Sequence, residues 1–278
     1  MWTPETRALY DRSDLRFSSD LTDAEWECLA PLIPPGKPGG RRRKVDLRAV
    51  LSGILYVLEN GCKWRSLPDG FPPRSTVHGY LLLWAWDGTL ERLHHELYVR
   101  TRGHQGREAS PSAAILDSQS VRSAEKGGSI PDPVGYDAGK KIKGVKYHIL
   151  VDTLGLLLAV VVHPANIQDR DGALLVLDKR TRMLFPFIQV IFVDGGDQGG
   201  HIAETVGHIG QWQLCVVKRS KTDTGFVVRP KRWIVERTLA WLSRCRRLVR
   251  NYEHRLQTAV AFIRLAMIRL MVRRLCRQ

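Results

Sequence analysis

The chain has 278 residues, of which 44% are hydrophobic and 26% charged, and it carries a formal net charge of +15. That apolar share supports one large domain or two modest ones and excludes a disordered, low-complexity chain. The five cysteines (Cys28, Cys62, Cys215, Cys245, Cys276) are scattered and form no C-x-x-C pair, which excludes a disulfide scaffold and a structural zinc site.

Residues 1–20 read as irregular. Thr22 followed by Glu25 three residues later is a capping box that opens a helix, and Pro31, Pro34 and Pro35 end it. Gly36 to Lys44 is a Gly/Pro/Arg-rich basic loop containing Arg41, Arg42 and Arg43. From Asp46 to Asn60 apolar residues recur at helical spacing (Leu47, Val50, Leu51, Ile54, Leu55, Leu58), and Gly61 stands where a left-handed cap is wanted. Ser75 is expected to cap a helix running to about Trp86, and Thr89 to about Arg100 continues helically. Residues 21–100 therefore read as an all-helical, helix-turn-helix-like domain, with Trp64, Trp84 and Trp86 in its core. Residues 101–111 read as a linker.

The periodicity then changes. Ala113–Asp117 reads as a short strand, and Ser118 to Ile142 as a long Gly/Ser/Lys loop containing Lys140 and Lys141. Val145–Val151 and Leu156–His163 pair through Asp152-Thr-Leu-Gly155, a hairpin signal. Asp169–Leu184 reads as one helix, with Asp169 and Asp171 at its start. Gln189–Asp194 is a strand, Gln198–Gly207 a helix, Trp212–Lys218 a strand, and Lys231 onward is helical with a break near Asn251. Residues 112–278 thus form an α/β (α+β) domain whose mixed sheet is flanked by helices and ends in basic helices. By fold-level analogy the element order is ribonuclease-H-like.

Charge is concentrated. From Arg229 to Gln278 there are 14 Lys/Arg against Glu236 and Glu253, a net of +12. With Arg41–Lys44 and the group Lys140, Lys141, Lys143 and Lys146, this gives three separated basic stretches, a pattern that fits a surface tracking phosphates. On such a chain three carboxylates stand out. Asp117 and Asp194 are read at the ends of short apolar strands, and Glu236 opens a basic helix. Three acids placed to converge suit hard divalent cations, which take oxygen ligands and act as a pair on a phosphodiester. Arg232 and Glu236 are four apart and share a helix face. His148 is read as a lone histidine, structural or touching a phosphate. Trp233 and Trp241 are expected in the core, and Arg264, Arg269, Arg273 and Arg274 on a face that meets DNA or solvent.

The segment Arg232-Trp-Ile-Val-Glu236-Arg237-Thr238-Leu-Ala240-Trp241-Leu, continuing to Arg244-Cys-Arg-Arg-Leu248 and Tyr252-Glu253, resembles the third-acid helix of bacterial insertion-sequence DDE transposases of the family numbered five, within the wider four-like group. Leu116-Asp117-Ser-Gln-Ser-Val121 resembles that family's first-acid strand and Val193-Asp194-Gly-Gly its second. Gly139 to Gly155 resembles the intervening segment, and Gly61-Cys-Lys-Trp64-Arg65-Ser-Leu67-Pro68 with Phe71-Pro72 and Thr76-Val77 resembles its helical N-terminal domain.

The resemblance implies a DNA transposase that cuts at the terminal inverted repeats of its element and joins the 3′-OH ends to target DNA. It implies two Mg²⁺ per site, with Mn²⁺ as a substitute, held by Asp117, Asp194 and Glu236 as catalytic ligands. DNA contacts are expected from Arg41, Arg42, Arg43, Lys140, Lys141, Lys143, Lys146, Arg232, Arg237, Arg244, Arg246 and Arg247. A homodimer on double-stranded DNA is expected, because two element ends must meet. With no leader at Met1-Trp-Thr-Pro-Glu and no apolar run near the roughly 20 residues of a membrane span, a cytoplasmic, nucleoid-associated protein is expected. The chain departs from the family signature in three places. Arg229 stands where the family has Tyr, Ser243 where it has Lys, and Asp197 follows Gly195-Gly196. An inactive DNA-binding product of a degenerate element is the alternative.

Overall fold

The structure is a computed structural model that describes residues 3–36, 39, 43–125, 131–194, 200–217 and 231–277. The described N-terminal part is helical: α1 (Pro4–Tyr10), α2 (Asp23–Leu29), α3 (Leu47–Asn60), α4 (Arg74–Trp86) and α5 (Thr89–His104). The predicted capping box is formed, with Thr22 accepting from the Glu25 N–H and the Glu25 carboxylate accepting from the Thr22 N–H. Asp46 caps α3 and Gly61, at φ 66°, ends it, while Val50, Leu51, Ile54, Leu55 and Leu58 are buried.

Three expectations for this part change. Residues 4–10 form α1 rather than irregular chain. α4 begins at Arg74 with Pro73 as its cap residue, so Ser75 lies inside the helix; a proline at the boundary leaves no donor unsatisfied and sets φ. Of the tryptophans, Trp84 is buried, Trp64 half-buried, and Trp86 is 80% exposed.

Six strands follow: β1 (Ala113–Arg122), β2 (Gly135–Asp137), β3 (Ile142–Asp152), β4 (Leu157–Pro164), β5 (Val190–Asp194) and β6 (Gln213–Val217). They form one mixed sheet in the order β2-β3-β1-β5-β6, with β4 on β3. β1–β3, β3–β4 and β2–β3 are antiparallel, and β1–β5 and β5–β6 are parallel. Helices α6 (Asp169–Val176), α7 (Lys179–Leu184), α8 (Gly200–Gly210), α9 (Arg232–Ser243), α10 (Arg246–Val249) and α11 (Leu256–Leu275) complete the chain. The mixed α/β class and the helical N-terminal region are as expected.

β1 does not stop at Asp117. It runs five residues further, paired with β3 from Asp117↔Ile149 to Arg122↔Gly144. The polar run Ser118-Gln-Ser120 stays in the sheet because its alternate side chains find hydrogen-bond partners, Ser118 on Asp169 and Ser120 on Asp137. The stretch read as a loop therefore contains half of β1 and all of β2. The helix expected over 169–184 is two, because Asp178 breaks it and caps α7 by accepting from the Thr181 N–H. Asp169 and Asp171 sit in the first turn of α6, whose cap residue is Gln168.

α11 packs against α5, α3 and β4. Its Phe262, Ile263, Leu265, Met267 and Met271 are buried, within one apolar cluster that also contains the helical region and the sheet. At roughly 1.5–3 kcal/mol per fully buried side chain, this one helix contributes on the order of 10 kcal/mol of gross apolar burial. Its arginines do not form an outer face. Arg264 pairs with Glu91, Arg269 with Glu59 and Arg273 with Glu25, and Arg274 lies over the Trp241 ring. Acids of α2, α3 and α5 thus neutralise charges that composition alone assigns to a DNA-facing surface. Among the described residues no helix is long and apolar enough to cross a membrane.

Candidate active site

β1 and β5 are parallel, and Ile115 pairs with Phe192. Asp117 and Asp194 each lie two residues beyond that pair. The two-residue period of a strand therefore aims both carboxylates to the same side of the sheet. α9 packs on β1 and β3 and supplies Arg232 and Glu236 from adjacent turns of one face.

The four side chains meet. Arg232 Nη1 lies 2.5 Å from Asp194 Oδ1, and its Nη2 lies 3.8 Å from Asp117 Oδ2 and 3.8 Å from Glu236 Oε1. A single guanidinium, 11% exposed, thus sits among three carboxylates from three elements. Asp117 is the most enclosed acid at 17% exposed, against 42% for Asp194 and 53% for Glu236. Burial pushes the Asp117 carboxyl above the usual carboxylate range. The Ser118 N–H and Arg232 pull it down, the Asp194 charge pushes it up, and burial prevails.

Among the described residues no group of three His, Cys, Asp or Glu is closed on one point as a metal cage. The donor set nonetheless fits hard divalent cations: it is all oxygen, it comes from three separate elements, and it already surrounds one cation, the Arg232 guanidinium.

The turn between β3 and β4 grips α9 from behind. Thr238 Oγ1 donates to the Gly155 carbonyl at 2.8 Å and Arg237 Nη2 to the Leu154 carbonyl at 3.1 Å. Gly155 is at φ +78°, and a Cβ there would stand 2.8 Å from Thr238 Oγ1, so the close approach requires glycine. Thr238 is two residues from Glu236, about 200° round the helix at 3.6 residues per turn. The turn therefore holds the side of α9 opposite the acid. Arg237 lies between the Trp233 and Trp241 rings, at 4.6 and 4.7 Å. Trp233, expected in the core, is 43% exposed, and Trp241 is half-buried.

On the other face of β1 lies a polar network that sequence reasoning missed. Asp169 Oδ1 accepts from Ser118 Oγ at 2.8 Å and pairs with Lys146 Nζ at 2.8 Å, and Lys146 also lies 3.8 Å from Asp137. Burial pushes Asp169 up, but the Lys146 and Ser118 hydrogen bonds outweigh it and hold this carboxyl below its usual range. His148 is not a lone histidine. Its Nδ1 is 2.8 Å from His163 Nε2, the rings stack, and both are buried. The signal was present as alternation: Ser118 and Ser120 on β1 face Lys146 and His148 on β3.

Burial, helped by His163 and Lys146, pushes His148 down to about 4. This is a base with a depressed folded pKa, so the unfolded chain takes up a proton that the folded chain refuses. Stability is therefore lost as pH falls from about 6.5 towards about 4, by about 3 kcal/mol in full. His94, pushed to about 3 by burial, adds loss of the same sign. Thermal midpoints recorded across this range should fall with acid and fall less steeply in His148→Gln. Equal slopes in the two proteins would refute the assignment.

The remaining expected contacts divide by exposure. Lys140, Lys141, Lys143, Arg244 and Arg246 are exposed. Arg43 is held by the Pro34 carbonyl at 3.1 Å. Lys146 and Arg232 are internal, as is Arg247, which is bonded to Glu253 at 2.7 Å. Ser243, at the signature's Lys position, is exposed and bonded to the Ala240 carbonyl. Arg41, Arg42, Gly195, Gly196, Asp197 and Arg229 lie outside the described residues.

Two family models match the chain. The model described as "Transposase DDE domain" matches residues 108–271, which contain all three acids and Arg232. The chain belongs to the DDE transposase family. Residues 21–94 match a second model, "Putative transposase of IS4/5 family". Three curated relatives are similar to parts of the chain. An "Insertion element IS402 uncharacterized 16.2 kDa protein" of Burkholderia cepacia is 36% identical over 115 residues, 38% of this chain and 76% of its own length. The "Uncharacterized protein y4sN" of Sinorhizobium fredii is 28% identical over 128 residues, covering 43% of this chain and 96% of that protein. A "Putative transposase for insertion sequence element IS402" of Burkholderia cepacia is 30% identical over 128 residues, 44% of this chain and 60% of the relative. No solved structure matches. Among insertion-sequence DDE transposases, divalent metal ions are the general requirement for chemistry.

Proposed function

We propose that this DDE transposase cuts DNA at the terminal inverted repeats of its insertion sequence and joins the freed 3′-OH ends to target DNA. The carrying observation is the meeting of Asp117, Asp194 and Glu236 around one cationic group at the rim of a mixed sheet. In this reading the sheet with its flanking helices is a ribonuclease-H-like fold. Residues 21–100 are a DNA-reading helical domain and 112–278 the catalytic domain; the stretch 101–111 expected as a linker begins inside α5, which runs to His104.

Asp117, Asp194 and Glu236 would hold the divalent ions, Mg²⁺ or Mn²⁺, two to a site. Such ions, when bound, supply charge neutralisation at the scissile phosphate and a lowered pKa for an attacking hydroxyl. The chain's own groups do the placing. β1 and β5 fix the two aspartates on one side, and α9, pinned from behind by Leu154 and Gly155, fixes Glu236 opposite them. Arg232 holds the three negative charges together and lies where a phosphate oxygen would find a guanidinium donor. Lys140, Lys141, Lys143, Arg244 and Arg246 are the exposed cations proposed to hold the DNA backbone. A dimer that brings two element ends together, working at the nucleoid, completes the reading.

The test uses supercoiled plasmid carrying the inverted repeats that flank the gene. With Mg²⁺, nicks at the repeat ends followed by joined products are expected, and chelation should remove both. Binding without nicking under Mg²⁺ and Mn²⁺ would replace this reading with the inactive DNA-binding product.

A further inference from the structure

Most arginines of the C-terminal region are engaged inside the protein, so the cations left over are informative. Four of them share one concavity. Arg122 at the end of β1, Lys141 and Lys143 at the start of β3, and Arg250 after α10 line a groove of about 700 Å³. All four are exposed, and none forms an ion pair or side-chain hydrogen bond with a described residue. Tyr136 stands in the same groove with 55% of its surface exposed.

The groove is built rather than accidental. The segment after α10 is stitched to the end of β1, with the Asn251 N–H donating to the Arg122 carbonyl at 3.0 Å and the Ala124 N–H to the Asn251 carbonyl at 2.9 Å. Asn251 is 2% exposed and its Nδ2 donates to Ser123 Oγ at 3.3 Å. The Ser123 N–H donates to the Lys143 carbonyl at 3.1 Å, and Lys141 turns the chain into β3 in a left-handed conformation, φ 54°. Three segments distant in sequence are thus locked so that their cations face one space. Of the two acids there, Asp132 is already bound by Arg255 at 2.9 Å and by the Leu256 N–H at 2.8 Å, which leaves Glu125 against four cations.

We infer that this groove binds the DNA strand flanking the cut site, with its phosphates on Arg122, Lys141, Lys143 and Arg250 and an unstacked base on Tyr136. The inference rests on the proposed DNA-processing reading and adds where the substrate runs. Unpaired exposed cations in a concavity exchange counterions for phosphates. An exposed aromatic ring among them is a stacking platform for a base of any sequence. Arg122 is five residues along β1 from Asp117, roughly 17 Å at about 3.4 Å per residue. That odd spacing turns its side chain to the opposite face, whereas Lys143 and its register partner Tyr136 keep the Asp117 face, so the groove wraps the end of the sheet. A strand cut at the carboxylates reaches the groove about five B-form steps away, at about 3.4 Å per phosphate.

Binding of a repeat-containing duplex is measured by anisotropy from about 50 to 200 mM salt. In Arg122→Gln/Arg250→Gln the slope of log K against log salt should shrink by about 1.8, two phosphate contacts at about 0.9 each. Arg107→Gln/Lys179→Gln, the same charge change on exposed residues elsewhere, should leave the slope within the error of the wild type. Replacing the phosphates four to six steps from the cut with neutral methylphosphonates should weaken wild-type binding more than that of the groove variant, which keeps only Lys141 and Lys143 there. Tyr136→Leu should abolish the fluorescence quenching of 2-aminopurine placed in that segment. An unchanged slope in the groove variant, or equal losses in both double variants, would overturn the inference while nicking by the wild type kept the functional reading intact. A wild-type chain that neither binds nor nicks the duplex would sink both.

Discussion

Asp117→Asn, Asp194→Asn and Glu236→Gln are each expected to slow nicking at the repeat ends at least about a thousandfold, about 4 kcal/mol of lost transition-state stabilisation. DNA affinity should stay near wild type, because each change removes negative charge from the surface that approaches phosphate. Asp117→Asn should be the most severe. Its carboxylate is the most enclosed of the three and stands nearest the interior of the sheet, so no solvent-exposed neighbour can swing in to replace it. Arg232→Ala should behave differently. Removing the guanidinium leaves Asp117 and Asp194 facing each other without their shared counter-ion, so Asp117 should hold its proton to still higher pH. Mg²⁺ should then raise the thermal midpoint of Arg232→Ala more than that of the wild type, since the ion takes over the neutralisation. If all three acid variants nick at wild-type rate, the active site lies elsewhere. If Mg²⁺ stabilises Arg232→Ala and wild type equally, Arg232 is not the stand-in for the metal charge.

The three acids were legible in the sequence because each sits in a short pattern with a local cause: an apolar strand before Asp117 and Asp194, and an i, i+4 pair at Arg232 and Glu236. That they converge was expected, but the pairing that brings them together was not legible, because it depends on which strands are neighbours. The parallel β1–β5 pairing, made across more than seventy residues of chain, leaves no local mark. β1 was read as ending at Asp117 for a related reason: Ser, Gln and Ser look like loop until their partners Asp169 and Asp137 are known. The largest misreading concerned charge. Arg264, Arg269 and Arg273 at helical spacing look like a surface stripe, and only the tertiary structure shows Glu91, Glu59 and Glu25 waiting opposite them. Composition gave the net charge of +15 but not which cations remain free.

The second large effect is expected at Asp152, in the turn behind α9 and outside the carboxylate set. Its carboxylate is fully buried. Oδ1 accepts the Leu154 and Leu156 N–H groups at 2.9 and 2.8 Å, shaping the turn, while Oδ2 takes the Arg102 guanidinium of α5 and the Tyr98 hydroxyl at 3.5 Å. Burial pushes this carboxyl up, against the pull of those donors. Asp152→Ala strands the Arg102 charge, which is only 5% exposed, and frees two backbone donors. Breaking a buried pair from one side costs about 3–5 kcal/mol. Arg102→Met should cost the fold less than Asp152→Ala, because an apolar side chain refills the space and the turn keeps its backbone hydrogen bonds. Chemical denaturation of the two variants measures both costs. The consequence for chemistry follows from the grip of Leu154 and Gly155 on α9. Loosening the turn releases the side of the helix opposite Glu236, so Asp152→Ala, assayed below its unfolding transition, should lose nicking rate beyond its loss of folded fraction. Arg102→Met should lose rate only in proportion to folded protein. If the two variants lose rate in equal proportion to folded fraction, the turn contributes stability alone and does not set the position of Glu236.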